Sequence, residues 1–352
     1  MSINLRNTFS GLGWAIAAIT IWSGSLVMLR LGITTSLNAY DLTVLRFGVA
    51  ALILAPVAMR RGIGTDRLGL TGLLAIVVAF GAPYVLLIAL AMKTAPAAAA
   101  GALNPGVMAI VSVLLGRMIL GDRIGGARFI GLAATATGVV LFSRAGGAVT
   151  TGHLILIGTG IMWASYILIV RRTAVPALNA TAIVAVGSAV FYLPIYLVAL
   201  PKQIFAAPLA DVLMQAGFQG VLVSVIAIYA FNRSAELLGP VVGATLPALI
   251  PVVTLGLGVV VLGETAGAGE LTSAILVTMG LALILVGKPA MRWLSSHIPR
   301  GLNRKGHPLS SDRSAAERCR LACERQARRK AVATRGAESA NETTKEGPAL
   351  AE

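Results

Sequence analysis

The residues able to do chemistry in this 352-residue chain are few, and most of them are neutral. Covalent or acid–base catalysis needs convergent carboxylates, histidines or an activated nucleophile. The three histidines, His153, His297 and His307, are far apart, and no H-E-x-x-H, paired-aspartate or G-x-S-x-G pattern occurs. Cys319 and Cys323 lie four apart, a spacing that fits neither a C-x-x-C metal site nor a disulfide scaffold, so they read as reduced thiols. The pattern asks for no metal and no cofactor, and it speaks against an enzyme.

What remains suits non-covalent binding. Trp22 with Ser23 and Ser25, and Trp163 with Ser165 and Tyr166, set an aromatic ring beside hydroxyls, while Tyr84, Asn104 and Tyr229 add neutral hydrogen-bonding groups. Pro105 and Pro247 each remove a backbone donor within an apolar run, loosening the helix and freeing carbonyls that a ligand or water could meet. Indole and phenol faces in such a place could hold apolar or cationic groups. Arg46 reads either as a charge lining a cavity or as an interfacial anchor paired with Asp41. Each residue taken singly also suits packing between helices. Their recurrence at matching places in the chain sets them apart.

The elements that position them are apolar helices. Hydrophobic residues make up 57% and charged residues 12% of the chain, against roughly half and a quarter in soluble domains. Mean hydropathy is +0.84. About 20 apolar residues cross a bilayer as a helix. Ten segments qualify, near 12–30, 42–59, 68–92, 95–119, 128–142, 153–170, 181–200, 213–232, 240–262 and 271–286, the fifth being the shortest. No small-residue cleavage site follows the first, so it reads as a retained helix.

A repeat organises the ten. Gly101, Pro105, Gly116, Gly121, Asp122, Gly125 and Gly138 are answered by Gly243, Pro247, Gly258, Gly263, Glu264, Gly267 and Gly280, each pair 142 apart. Trp22 and Arg30 are answered by Trp163 and Arg171 at 141. Five helices per repeat is an odd number, so the second copy enters the membrane from the opposite face. The expected architecture is therefore an all-α polytopic membrane protein of ten transmembrane helices in two inverted five-helix repeats, residues 1–144 and 145–287. Substrate in such carriers sits near the midplane between the halves. Asp122 and Glu264 each precede a helix whose positive end they would cap. Trp14, Tyr40 and Trp293 fall near membrane surfaces as anchors, and the Gly/Ala-rich stretches at 97–101 and 239–245 permit close helix contact.

Charge orients the chain. With the N-terminus inside, Arg6, Arg60, Arg61, Arg67, Arg117, Arg123, Arg128, Arg171, Arg172 and Arg233 lie on the cytoplasmic side, and only Arg30, Lys93, Arg144 and Lys202 outside. An even helix count returns the tail, residues 288–352, to the cytoplasm with 14 of the 29 Lys and Arg. A basic helix near 314–333 and a polar, disordered end are expected there. Anionic headgroups would attract this tail. It lacks the interleaved aromatics of a nucleic-acid binder. No carboxylate occupies the centre of any span, which points to facilitated diffusion or exchange rather than proton coupling. The sequence leaves monomer against homodimer open.

The Ile-Trp-Ser opening (residues 21–23), Arg46 in the second helix, the small-residue starts of helices four and nine, and the Pro-x16-Asp/Glu spacing (Pro105 to Asp122, Pro247 to Glu264) resemble EamA-type transporters of the drug/metabolite transporter superfamily. The resemblance spans residues 11–287 and leaves out the tail. It implies an inner-membrane carrier of small organic metabolites, amino acids among them, with a central cavity. Substrate contacts would come from Trp22, Ser25, Arg46, Tyr84, Asn104, Trp163, Tyr166 and Tyr229. Members often carry Glu where this chain has Asp122, a change of reach and not of charge. Efflux of drugs or aromatic cations is a related alternative. A membrane sensor or assembly protein acting through its tail is an unrelated one.

Overall fold

The computed structural model describes residues 5–62, 64–145, 147–238 and 246–297, with side chains from 9 to 285. Nine helices among them are long and apolar enough to cross a membrane, and a shorter apolar one, Leu246–Leu262, follows the undescribed residues 239–245. We number the ten α1 (Leu5–Thr34), α2 (Ala39–Arg61), α3 (Thr65–Ala91), α4 (Ala97–Leu120), α5 (Gly126–Ala145), α6 (Thr151–Thr173), α7 (Ala177–Ala199), α8 (Leu209–Leu238), α9 (Leu246–Leu262) and α10 (Ala268–His297). The expected tail helix, the two cysteines, Pro240 and Gly243 lie outside the described residues, as does the side chain of Trp293.

The fifth span, the shortest in sequence, is a full 20-residue helix. Three helices are irregular, and all three border the site. In α3 the helix breaks at Gly81, whose backbone (φ −94°, ψ −143°) is not helical and where a Cβ would strike the Ser188 hydroxyl and the Val77 carbonyl. Pro83 then starts the second arm, and the Ser188 hydroxyl accepts the Ala82 N–H at 3.0 Å, satisfying a donor that the break exposes. In α8, the repeat partner of α3, residues Ala216–Ile226 form a π-helix, whose widened turn is rare and clusters at functional sites. At the start of α9, Leu246–Leu249 form a 3-10 turn carrying Pro247.

The repeats interlock. α1 packs against α8 and α9 of the second half, and its counterpart α6 packs against α3 and α4 of the first. The partner pairs α2–α7 and α4–α9 also pack on each other. α5 and α10 cross where glycine leaves room. A Cβ on Gly138 would lie 2.9 Å from the Val277 nitrogen, and one on Gly280, 142 residues later, 2.6 Å from the Thr135 nitrogen. In lipid, close packing of this kind replaces the hydrophobic drive that water supplies elsewhere.

Matching C-caps end α4 and α9. Gly121 (φ 71°) and Gly263 (φ 66°) take the left-handed conformation that favours glycine, and the next amides, Asp122 and Glu264, bond back to the Gly116 and Gly258 carbonyls at 3.1 and 3.2 Å. The two carboxylates thus start outside the preceding helices and reach across to the other repeat. They do not cap the helices that follow them in sequence, as local logic suggests.

Candidate functional site

A cavity of about 390 Å³ lies between the repeats. Pro105, Met108, Ser112, Asp122 and Arg128 line it from the first repeat, and Trp163, Ile167, Arg171, Pro247 and Leu281 from the second. Both singled-out prolines therefore border the cavity. They differ in effect: α4 runs unbroken through Pro105, buried among its neighbours, whereas Pro247 sits in the 3-10 turn. The cavity opens toward the membrane face bearing Asp122, Arg128 and Arg171. Trp163 forms its inner wall.

Behind Trp163 is a buried aromatic and polar cluster. The Tyr84 hydroxyl donates to Asn104 Oδ1 at 3.1 Å, and the Asn104 amide donates to the Thr159 hydroxyl at 2.7 Å. This chain ties α3, α4 and α6 together across the repeat boundary. Phe80 joins the rings: its centroid is 4.5 Å from Tyr166, stacked, 5.0 Å from Tyr84 and 5.7 Å from Trp163. Tyr84, Asn104, Trp163 and Tyr166 are thus brought together as one group. Phe80 and Thr159 complete it, and sequence reasoning missed both. An aromatic one turn before Tyr84 was a usable signal.

Arg46 approaches the same region from α2, which packs against the Ala82–Ala91 arm of α3 that carries Tyr84. Its Nη1 donates to Gln219 Oε1 at 3.2 Å and to the Ser25 hydroxyl at 3.5 Å. Gln219 in turn donates to the Ser25 carbonyl at 2.8 Å, and Gln215, one turn earlier, to the Met28 carbonyl at 2.7 Å. Both glutamines are fully buried in or beside the π-helical stretch. Two amides a turn apart in an apolar run were legible in sequence and were passed over. The pairing of Arg46 with Asp41 is absent. Asp41 closes the Asn38 capping box and accepts the Tyr196 hydroxyl at 2.6 Å and the Gln203 amide at 3.1 Å.

Two expected members lie apart from this group. Trp22 packs half-buried on Phe231, with centroids 5.2 Å apart. Tyr229 is 57% exposed and sits edge-on to Trp14 at 5.5 Å, on the side of α8 away from buried Ala227 and Ala230. Among the described residues no three His, Cys, Asp or Glu side chains come together.

Two ion pairs join the repeats, and the repeat offset relates them. Arg171 Nη2 meets Asp122 Oδ2 at 3.0 Å, with side chains 49% and 35% exposed. At the opposite ends of the helices Arg30 meets Glu264 at 3.7 Å, with side chains 24% and 19% exposed. Arg30 also donates to the Met92 carbonyl, and Glu264 accepts the Ala97 N–H at 3.0 Å. Glu264 therefore caps a helix, but it is α4 of the other repeat. The surroundings differ in the same sense. Thr254 is fully buried against Gly101, whereas Ser112, 142 residues earlier, lines the cavity. One end of the assembly is packed shut and the other is open.

No curated protein matches the sequence. A crystal structure, described only as that of a protein, is similar over 84% of this chain and 100% of its own, with a TM-score of 0.54 and 23% identity, which shows a shared fold. The family model of the EamA-like transporter family matches twice, at residues 9–144 and 150–286. With nearly the whole helical part of the sequence covered by those two matches, the chain belongs to the EamA-like transporter family.

Proposed function

We propose that the protein is a secondary carrier moving small organic metabolites, amino acids and molecules of similar size among them, across the inner membrane by export or facilitated exchange. Both termini lie in the cytoplasm, so the cavity faces inward. The observation that carries this is the placement of Trp163, which lines an open inter-repeat cavity and packs against half-buried Phe80 and buried Tyr84. A solute entering from the Asp122–Arg171 side meets the cluster there, still shut off from the other face by Arg30–Glu264 and Gly101–Thr254.

Alternating access follows from the repeat symmetry. Rocking one half against the other exchanges the environments of Ser112 and Thr254 and of the two ion pairs, so the closed end opens as the open end closes. The kink in α3 of the first half, and the π-stretch in α8 and 3-10 turn of α9 in the second, put irregular backbone of both halves at the site, where a change of backbone is least costly.

Counterflow into liposomes of the purified protein tests this, with labelled amino acids, organic acids, neutral solutes and aromatic cations, on the full chain and on one ending at residue 288. Accumulation of one solute class by both forms supports a carrier whose helices suffice. Activity lost with the tail would favour a tail-driven sensor. A preference for aromatic cations would move the assignment to efflux of drug-like cations.

A further inference from the structure

Among the described residues no carboxylate pairs with Arg46, the half-buried charge beside the cluster. Arg46 starts seven residues into α2, about 10 Å along the helix axis, and described acidic residues are committed elsewhere. Asp41 is bonded to Tyr196, Asn38 and Gln203, and Asp211 to the Ser36 hydroxyl at 2.6 Å. Asp122, Glu236 and Glu264 pair with Arg171, Arg233 and Arg30. No described carboxylate bonds to Arg46.

The donor inventory is equally unbalanced. A guanidinium carries five N–H groups in a planar fork. The two described acceptors, Gln219 and Ser25, both meet Nη1, and at long distances of 3.2 and 3.5 Å. Nη2 and Nε have no described acceptor. Both acceptors are buried and hold each other, Gln219 donating to the Ser25 carbonyl at 2.8 Å and the Ser25 hydroxyl donating to Gln219 Oε1 at 3.3 Å. Gly220, next to Gln219, lets the π-segment approach Val49 of α2 so closely that a Cβ would clash. The backbone thus holds a cation whose described partners are both neutral, on a helix packed against the arm that carries Tyr84, whose ring lies 6.5 Å from that of the cavity-lining Trp163.

We propose that Arg46, with Gln219 and Ser25, forms an anion subsite that takes the carboxylate of an organic acid or zwitterion whose apolar body lies on Phe80, Tyr84 and Trp163. This rests on the carrier reading and narrows it to substrates bearing a carboxylate. A carboxylate matches the fork with two oxygens and supplies the missing charge. An uncompensated cation within a span is costly. The carboxylate cancels the guanidinium charge inside the site, and where the substrate is a zwitterion its ammonium lies at the cavity end, so the carrier closes around substrate more readily than around an empty site.

The test uses the full chain in lipid nanodiscs and in liposomes. Binding of labelled phenylacetate, butyrate, L-alanine and L-phenylalanine is measured beside competition by their amides and by 2-phenylethylamine. Wild type is compared with R46Q, R46K and S25A. The expected result is that one or more of the acids binds and its amide competes on the order of 10- to 100-fold more weakly, the worth of a charge-assisted hydrogen bond. R46Q should erase that preference, R46K should keep it at lower affinity, and S25A should weaken the acid more than the amide. Preference surviving R46Q, or equal binding of acid and amide, overturns the subsite. So does a failure of every acid to bind. S25A decides the matter if R46Q does not fold. Counterflow on the same samples separates the two claims. Exchange without carboxylate preference leaves the carrier standing and removes the subsite, while carboxylate binding without exchange does the reverse.

Discussion

Replacing Glu264 by Gln removes the charge from the Arg30–Glu264 pair while keeping an oxygen for the Ala97 N–H. At 3.7 Å and an effective dielectric near 20 the Coulomb attraction is roughly 4.5 kcal/mol. Desolvation of the two largely buried groups offsets more than half of it, leaving about 2 kcal/mol. If the pair forms only while its end of the carrier is shut, Glu264→Gln shifts the balance toward the opposite state by roughly 30-fold. The shift is read as maleimide labelling of a single cysteine placed at Thr254, in a chain with Cys319 and Cys323 replaced by serine. Thr254 is fully buried beside Gly101, so labelling starts slow and should rise by about that factor. A cysteine at Ile167, half-buried in the cavity wall, should slow. Asp122→Asn should change labelling at either position by no more than about fivefold, because that pair is formed with its own end open and is exposed, and such pairs contribute up to about 1 kcal/mol. Unchanged labelling at Thr254 in Glu264→Gln, or parallel changes at both cysteines, would refute the argument.

Other outcomes follow from the same geometry. Gly280→Ala drives a Cβ to 2.6 Å from the Thr135 nitrogen and should cost about 1–3 kcal/mol in thermal unfolding, whereas Gly125→Ala, with open space around it, should leave Tm unchanged. Trp163→Ala should abolish counterflow and Phe80→Ala weaken substrate affinity, each lost ring pair being worth about 0.5–1.5 kcal/mol. Tyr229→Ala, on an exposed face, should leave exchange unchanged. Liposomes loaded with substrate should exchange it faster than they lose it, because the empty carrier must close over the uncompensated Arg46 charge. Arg46→Gln should remove that difference.

The fold was legible because its punctuation is backbone chemistry. Glycine in the left-handed region at 121 and 263, followed by a carboxylate, marks one turn twice, and the odd helix number between the marks forces inversion. Tyr84, Asn104, Trp163 and Tyr166 could be picked as polar or aromatic residues at matching depth. Helix rotation could not be read. A membrane helix is apolar all round, so nothing local says that Tyr166 turns inward to Phe80 while Tyr229 turns out to Trp14. The π-stretch has no residue signature, so although Gln219 is visible as an amide in an apolar run, its turn toward Arg46 is not. Asp122 and Glu264 were visible as a pair, but their partners, Arg171 and Arg30, belong to the opposite repeat. Local sequence assigned them to the helices that follow.

The central claim is that the two ends of the carrier open in alternation, and spin-label distances test it directly. One doubly labelled chain carries labels at Arg123 and Arg172 on the Asp122–Arg171 end. A second carries them at the exposed Thr34 and Thr265, on the Arg30–Glu264 end. Glu264→Gln is introduced into both, followed by a solute that the protein exchanges. The account predicts that the Thr34–Thr265 distance lengthens as the Arg123–Arg172 distance shortens, with the same populations in the two chains. Distances that move together, or that do not move while exchange proceeds, would contradict it.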